Sequence, residues 1–379
     1  WPDEMESGRA HGPSRLENGM SHSTLFEPLP LARGPALKNR LMLAPLTNQQ
    51  SHADGRLSEA EIRWLAMRAA GGFALVMTAA APVQLVGQGY PGQLGIYDDM
   101  HVEGLAQFAT AVRDNGSISA VQLYHGGERA DATLIGTPVA PSDSARNGAR
   151  SLNLDEVEQL REDFIAAALR ADEAGCDGVQ IHGAHGYILA QFLSPTINRR
   201  TDRYGGSIEN RARLMLEVID GIRSRCRPDF QVGLRLSPER FGMQLAEVRE
   251  LAGEIMQQGQ IDYLDMSLWD VAKEPHEEAF QGRSLLSYFT DVPRGNVRLG
   301  AAGKIMDAAT ATGLIEAGCD FVTIGRAGIL RHDFPERVRA DPAYVSPPQP
   351  VSVAHLLEEG VTGEFVTYLR TFPGLVADE

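Results

Sequence analysis

Cysteine is scarce in this chain: there are three in 379 residues, Cys176, Cys226 and Cys319. So few, so scattered, exclude a disulfide framework and a four-thiolate cluster. No apolar run approaches the ~20 residues that a membrane-spanning helix requires, so no membrane partner is expected. Positive charge is also short, with 35 Lys and Arg against 50 Asp and Glu and a net charge of −15. That balance disfavours nucleic acid and anionic membrane surfaces as partners and suits the handling of small molecules. The first twenty residues, WPDEMESGRAHGPSRLENGM, lack the apolar core of a secretion signal. They predict a disordered or cloning-derived leader over 1–22, an ordered chain over 23–379 and a cytoplasmic location.

What the chain does have is an internal repeat. EAGCDGVQIHG (Glu173 to Gly183) returns as EAGCDFVTIGR (Glu316 to Arg326), with looser copies RAAGGFALVMTA (Arg68 to Ala79) and QQGQIDYLDMS (Gln257 to Ser267). Each copy reads as a helix end, a Gly just past it, a tight turn and a short apolar strand without alternation. Strands buried on both faces have that pattern, which implies a parallel sheet covered by helices. Cys176 and Cys319 occupy equivalent repeat positions and read as small core residues.

Eight such strands can be counted: Leu41–Leu46, Phe73–Ala79, Ser119–Tyr124, Gly178–His182, Val232–Ser237, Tyr263–Leu268, Val297–Ala301 and Phe321–Gly325. Helical patterns lie between most of them. Ser58-Glu-Ala-Glu61 reads as a capping box opening a helix that Gly71-Gly72 closes, and Leu154 to Ala174 reads as a helix stopped at Gly175. Eight successive β-then-α units predict an α/β fold, a single (β/α)8 TIM barrel with a C-terminal extension. A doubly wound open sheet is the structural runner-up.

Active sites of such barrels lie at the C-terminal strand ends. The first strand ends in Ala44-Pro-Leu-Thr47, the second reaches Ala79, the third carries Gln122, and the fourth delivers His182 with His185 and Tyr187 beyond it. The fifth presents Arg235; the last two end in Ala301-Ala-Gly-Lys304 and Gly325-Arg326. Loops after the last two strands are where barrels hold phosphate, and Gly303, Gly325 and Arg326 supply small residues and a guanidinium there. Arg235, on a strand otherwise apolar, requires an anion, either a ligand or a structural carboxylate. Gln122 offers donors and an acceptor suited to an imide edge.

His182 and His185 are three residues apart through Gly-Ala, not the i, i+4 pair of helical zinc sites, and no acid accompanies them. No metal is expected. Two neutral imidazoles can instead donate hydrogen bonds to an oxygen that gathers charge. Tyr187 can deliver a proton beside it.

His182-Gly-Ala-His185-Gly-Tyr187 and Tyr204-Gly-Gly-Ser-Ile-Glu-Asn-Arg211 resemble the old yellow enzyme family of FMN-dependent ene-reductases. Lys38-Asn-Arg40, Ala44-Pro45, Val121-Gln122-Leu123, Arg235 and Gly325-Arg326 match in the family's order across nearly the whole barrel. The resemblance implies a non-covalent FMN at the barrel mouth, reduced by NAD(P)H, whose N5 passes hydride to the β-carbon of an activated alkene. Ala44, Pro45, Leu46, Thr47 and Ala79 would line the isoalloxazine, and Gln122 would bond its pyrimidine edge. Arg235 would face N1/O2, a gross Coulomb term of about 4 kcal/mol at ~4 Å and an effective dielectric near 20. Gly303, Gly325 and Arg326 would take the phosphate. His182 and His185 would clamp a carbonyl or nitro oxygen, and Tyr187 would protonate the α-carbon. Some members carry Cys where this chain has Thr47, and Tyr where it has Gln49. Others complete the site with a neighbouring subunit's C-terminal arginine, so a homo-oligomer is among the implied partners. Arg370 is the sole arginine of the closing stretch VTYLRTFPGLVADE.

Two other readings stay open. The same flavin barrel could dehydrogenate or demethylate an N-methylated amine. A phosphate-binding barrel could instead run a non-redox isomerisation or aldol reaction, although no lysine on an inner strand offers a Schiff base.

Overall fold

The computed structural model describes residues 22–145 and 147–378. The expected leader, 1–22, lies outside the described residues except for His22. Eight parallel strands close into a barrel in chain order. They are β1 (Leu41–Leu43), β2 (Leu75–Pro82), β3 (Ile118–Tyr124), β4 (Gly178–Gly183), β5 (Gln231–Leu236), β6 (Tyr263–Ser267), β7 (Arg298–Ala302) and β8 (Phe321–Ile324). Pairing of Leu41 with Val322 and of Met42 with Leu75 closes the ring through β1. A two-stranded parallel pair, Val139–Ala140 with Arg150–Ser151, lies outside it.

The strands are buried along almost their whole length, as the unbroken apolar runs require. Strand ends are where expectation and structure differ. β1 stops at Leu43, because Pro45 has no N–H to extend a ladder, and Ala44 to Gln50 turns across the barrel mouth instead. β2 runs on to Pro82, pairing with Tyr124 after a register shift between Met77 and Ala80.

Inside the barrel, Tyr263 and Phe321 meet edge to face at 5.7 Å. Glycines on neighbouring strands make room for them. A Cβ on Gly233 would fall 2.1 Å from the Tyr263 ring, and one on Gly300 would fall 2.1 Å from Phe321. Met42, Leu75, Met77 and Ile118 belong to the same cluster.

Helices α1 (Glu59–Ala70), α2 (Val102–Arg113), α3 (Leu154–Glu173), α4 (Ile208–Arg225), α5 (Leu245–Gln258) and α6 (Ala308–Glu316) cover the outside. Only single helical turns follow β6, where Pro, Gly and charge interrupt any apolar stripe. α1 begins at Ser58, whose hydroxyl accepts from the Glu61 N–H. The other half of the expected capping box is absent. Glu61 is fully buried and its carboxylate takes hydrogen bonds from Ser51 and Asn48. α1 and α3 end as expected, with Gly72 and Gly175 at positive φ of 99° and 77°. Cys176 and Cys319 are buried, and burial pushes both thiols up to about 12, consistent with inert core residues.

The chain after β8 folds back over the barrel mouth. Fully buried Arg68 stacks on Trp64 at 4.1 Å and donates to the carbonyls of Trp64, Gly328, Ile329 and Glu359. Glu359 in turn binds Arg331 at 3.2 Å and His332 at 2.7 Å. This network ties the returning segment to α1 and brings Tyr368 and Phe372 to the mouth.

Candidate active site

β4 ends in His182-Gly183, and the following turn holds His185 at φ 60° and Gly186 at φ 69°. That reversal gathers three rings. His182 and His185 lie 4.9 Å apart, His182 and Tyr187 5.0 Å, and His185 and Tyr187 6.3 Å, all nearly perpendicular. Tyr124, from the end of β3, packs against Tyr187 at 4.5 Å.

Local hydrogen bonds set the protons. The Ala184 N–H donates to His182 Nδ1 at 3.2 Å, so the proton of the neutral ring sits on Nε2. His185 Nε2 meets Ser267 Oγ at 2.7 Å, leaving Nδ1 as its other polar atom. Burial, reinforced by the His185 and Arg235 charges, holds His182 well below the ordinary histidine range. Burial, with Arg235 and Arg129, brings His185 down to about 3. Both imidazoles are therefore neutral at physiological pH. Burial raises the Tyr187 phenol, with Arg129 opposing, so it keeps its proton there.

Beside these rings lies a cavity of about 590 Å³ at the C-terminal strand ends, within the usual size range for cofactor sites. Ala44, Pro45, Leu46, Arg235, Gly303, Gly325 and Arg326 all line it. Thr47 lies next to it, with Leu46, Arg326, Tyr368 and Phe372 around it. His185 and Tyr187 line a smaller lobe of about 150 Å³, and Ser267 and Trp269 border both spaces. Ala79 and Gln122 are buried on β2 and β3 but are not part of the cavity wall; Gln122 Nε2 donates to Gln180 Oε1 at 2.7 Å. Gly303 has a second reason to be glycine: a Cβ there would come within 2.9 Å of the Trp269–Asp270 backbone. Arg370 is exposed and outside the wall.

Arg235 is not a bare cation. Its guanidinium binds Asp265 on β6 at 2.8 Å and Ser267 Oγ at 3.3 Å, with both charged side chains buried. Most of the attraction expected for a ligand is offset by this carboxylate. The structural ion pair and the cavity-facing cation are the same residue.

No group of three or more His, Cys, Asp or Glu side chains suited to a metal occurs among the described residues. Nor is any helix among them long and apolar enough to cross a membrane.

Comparison with known proteins bears on the cavity. The sequence profile of the NADH:flavin oxidoreductase / NADH oxidase family matches residues 24–343. The chain belongs to this family. It is 36% identical over 330 residues to a probable NADH-dependent flavin oxidoreductase, YqiG, of Bacillus subtilis, covering 84% of this chain and 88% of that one. It is 32% identical over 336 residues to the NADPH dehydrogenase of the same organism, covering 86% and 97%. Among solved structures, morphinone reductase in complex with tetrahydroNAD superposes with a TM-score of 0.75 at 31% identity, covering 90% of this chain and 96% of that one. The old yellow enzyme homologue of Zymomonas mobilis gives 0.77 at 28% identity, covering 90% and 99%.

As a family member the protein is an NAD(P)H-dependent flavin oxidoreductase of old yellow enzyme type that uses FMN. Its own residues fit that cofactor. Arg235 and Thr323 line the large cavity, and Arg235 Nε and Thr323 Oγ1 are buried without a protein partner. Such orphans are costly unless a ligand satisfies them. Sequence reasoning missed Thr323, Asp265, Ser267, Trp269 and Gln180. A signal did exist for three of them: Gln180, Asp265 and Thr323 are polar residues inside apolar strands.

Another polar group is buried at the end of β3. The Gly127 N–H donates to His125 Nδ1 at 3.0 Å, while Nε2 is without a partner. Burial lowers this histidine to about 3. The unfolded chain takes up the proton first as pH falls, so its contribution to stability is full above pH 6.5 and shrinks down to about 3. Between pH 6.5 and 5 the loss is about 2 kcal/mol. In His125→Gln, the drop in unfolding free energy from pH 7 to 5, measured in urea, is expected to be smaller by about that amount. An unchanged drop would show that His125 protonates without penalty.

Proposed function

We propose that the protein reduces the C=C bond of α,β-unsaturated carbonyl or nitro compounds, bound with their activating oxygen on His182 and His185 beside Tyr187. The observation that carries this reading is the cluster of two neutral imidazoles and a protonated phenol on one side of the cofactor-sized cavity. When bound, FMN supplies a hydride taken from NAD(P)H to the β-carbon of the acceptor. Everything else falls to side chains. His182 Nε2–H, with a donor from His185, stabilises the charge that develops on the acceptor oxygen. Tyr187 gives a proton to the α-carbon.

The cofactor would be held against Ala44, Pro45 and Leu46, with Thr47 beside that wall and Ala79 outside it. The phosphate is assigned to Gly303, Gly325 and Arg326. Arg235 would offer a donor to the pyrimidine edge, and Thr323 a hydroxyl. Gln122 can reach that edge only through atoms that its bond to Gln180 leaves over.

We expect one non-covalent FMN per chain, since the G-x-G-x-x-G run at Gly87 to Gly92 lies in the loop after β2 with no helix opening on it and so lacks the strand–turn–helix form of a dinucleotide site. Heat should release it as FMN on chromatography. Arg326→Ala should weaken flavin retention on a desalting column while leaving the reactivity of retained flavin nearly intact. Undiminished retention would remove Arg326 from the phosphate site. Reoxidation assays with enones, maleimides and nitroalkenes test the acceptor class directly. Turnover of N-methylated amines with no response to any enone would overturn it.

A further inference from the structure

We propose that the lobe beside His185 and Tyr187 selects acceptors that carry a carboxylate or similar anionic group on a planar aromatic frame. The inference rests on the acceptor reading above and adds the chemistry of the part remote from the alkene.

The lobe is walled by two aromatic side chains, Phe241 from the loop after β5 and Trp269 from the loop after β6. Phe241 seats on Gly186, where a Cβ would fall 2.6 Å from its ring, so it is fixed against the turn that carries His185 and Tyr187. Trp269 is 56% exposed, unusual for so large an apolar side chain, and it also borders the larger cavity. Planar surfaces of this kind favour a flat ligand.

Charge is the second observation. The protein as a whole is acidic, at −15, yet this lobe is cationic. The Arg240 guanidinium lies 5.6 Å from the Trp269 ring centre and makes no ion pair among the described residues. Arg129 lies 5.4 Å from the Tyr187 ring and 5.8 Å from Phe241. The one carboxylate in the wall, Glu239, is buried and already engaged by Lys273 at 2.6 Å and the His276 N–H at 2.8 Å. Glu239 and Lys273 cancel, which leaves the charge of the Arg240 guanidinium in the wall of the lobe.

Backbone strain is the third. Six described non-glycine residues have positive φ, and four of them, His185, Arg240, Phe241 and Trp269, line this one lobe. Such conformations cost free energy at each site and persist where a ligand clamp is held in shape.

The test uses oxidised holoenzyme and a charge-transfer titration, so it does not depend on turnover. The probes are 3-(4-hydroxyphenyl)propionate and its amide, which differ in charge but hardly in phenol acidity. The carboxylate is expected to bind roughly five- to tenfold tighter, the scale of one or two solvent-exposed ion pairs. High salt and Arg240→Gln should each shrink that advantage to under twofold. Trp269→Ala should weaken both probes alike. Equal affinity of acid and amide for the parent protein would overturn the proposal. So would an Arg240→Gln variant that keeps the preference but binds NADH more weakly, which would assign the guanidinium to the reductant's diphosphate. If neither probe nor plain phenol gives a band, the histidine clamp fails, and the acceptor reading and this inference fall together.

Discussion

Tyr187→Phe slows reoxidation of the reduced flavin by simple enones such as cyclohexenone about a hundredfold or more, the typical cost of losing a placed general acid. The phenol is held protonated by burial and sits 5.0 Å from His182, ring centre to ring centre. Reduction by NAD(P)H needs no proton on carbon, so it stays within a few-fold of the parent. Reoxidation by quinones or oxygen likewise survives. Stopped-flow traces of the two half-reactions separate these cases. Equal slowing of both halves would mean that Tyr187 merely supports the pocket, and no change in either would pass the proton to another donor. Tyr187 packs on Tyr124 and Tyr124 packs on His182, so the conservative Phe, which keeps the ring, is the informative substitution.

The second large effect belongs to the histidine pair. Phenols that bind as phenolates over oxidised flavin give long-wavelength charge-transfer bands, and on the proposed reading the two imidazoles hold the oxygen. His182→Ala combined with His185→Ala removes both donors. Hydrogen bonds to a charged group are each worth about 1.5–3 kcal/mol, so phenol affinity falls by at least about a hundredfold and the band disappears at ordinary concentrations. Flavin stays bound, because neither histidine lines the large cavity. An unchanged band in the double variant would remove the clamp. Both rings are neutral well below pH 6, so the pH profile of band formation follows the phenol.

The strands were legible because a covered parallel sheet leaves apolar runs, and the glycines after α1 and α3 punctuate them. Their ends were less so. Pro45 is a local reason for β1 to stop, but nothing local keeps Ala80 to Pro82 in the ladder; their partners on β3 decide that. The capping box at Ser58 failed on its return bond, since Glu61 found Ser51 and Asn48 in a buried pocket that no spacing announces.

His182, His185 and Tyr187 could be read from the chain because six consecutive residues at one strand end carry all three, and neighbours in sequence there are neighbours in space. That much the residues determined alone: two imidazoles and a phenol at the end of β4. Arg235 was legible only as a cation in need of an anion. Which anion was decided by the register of β5 against β6, which sets Asp265 directly opposite it. Gln122 likewise meets Gln180 because β3 pairs with β4 in that register. Strand pairing joins residues 30 and 58 positions apart. Composition and spacing carry no information about such partners until the barrel closes and brings their strands side by side.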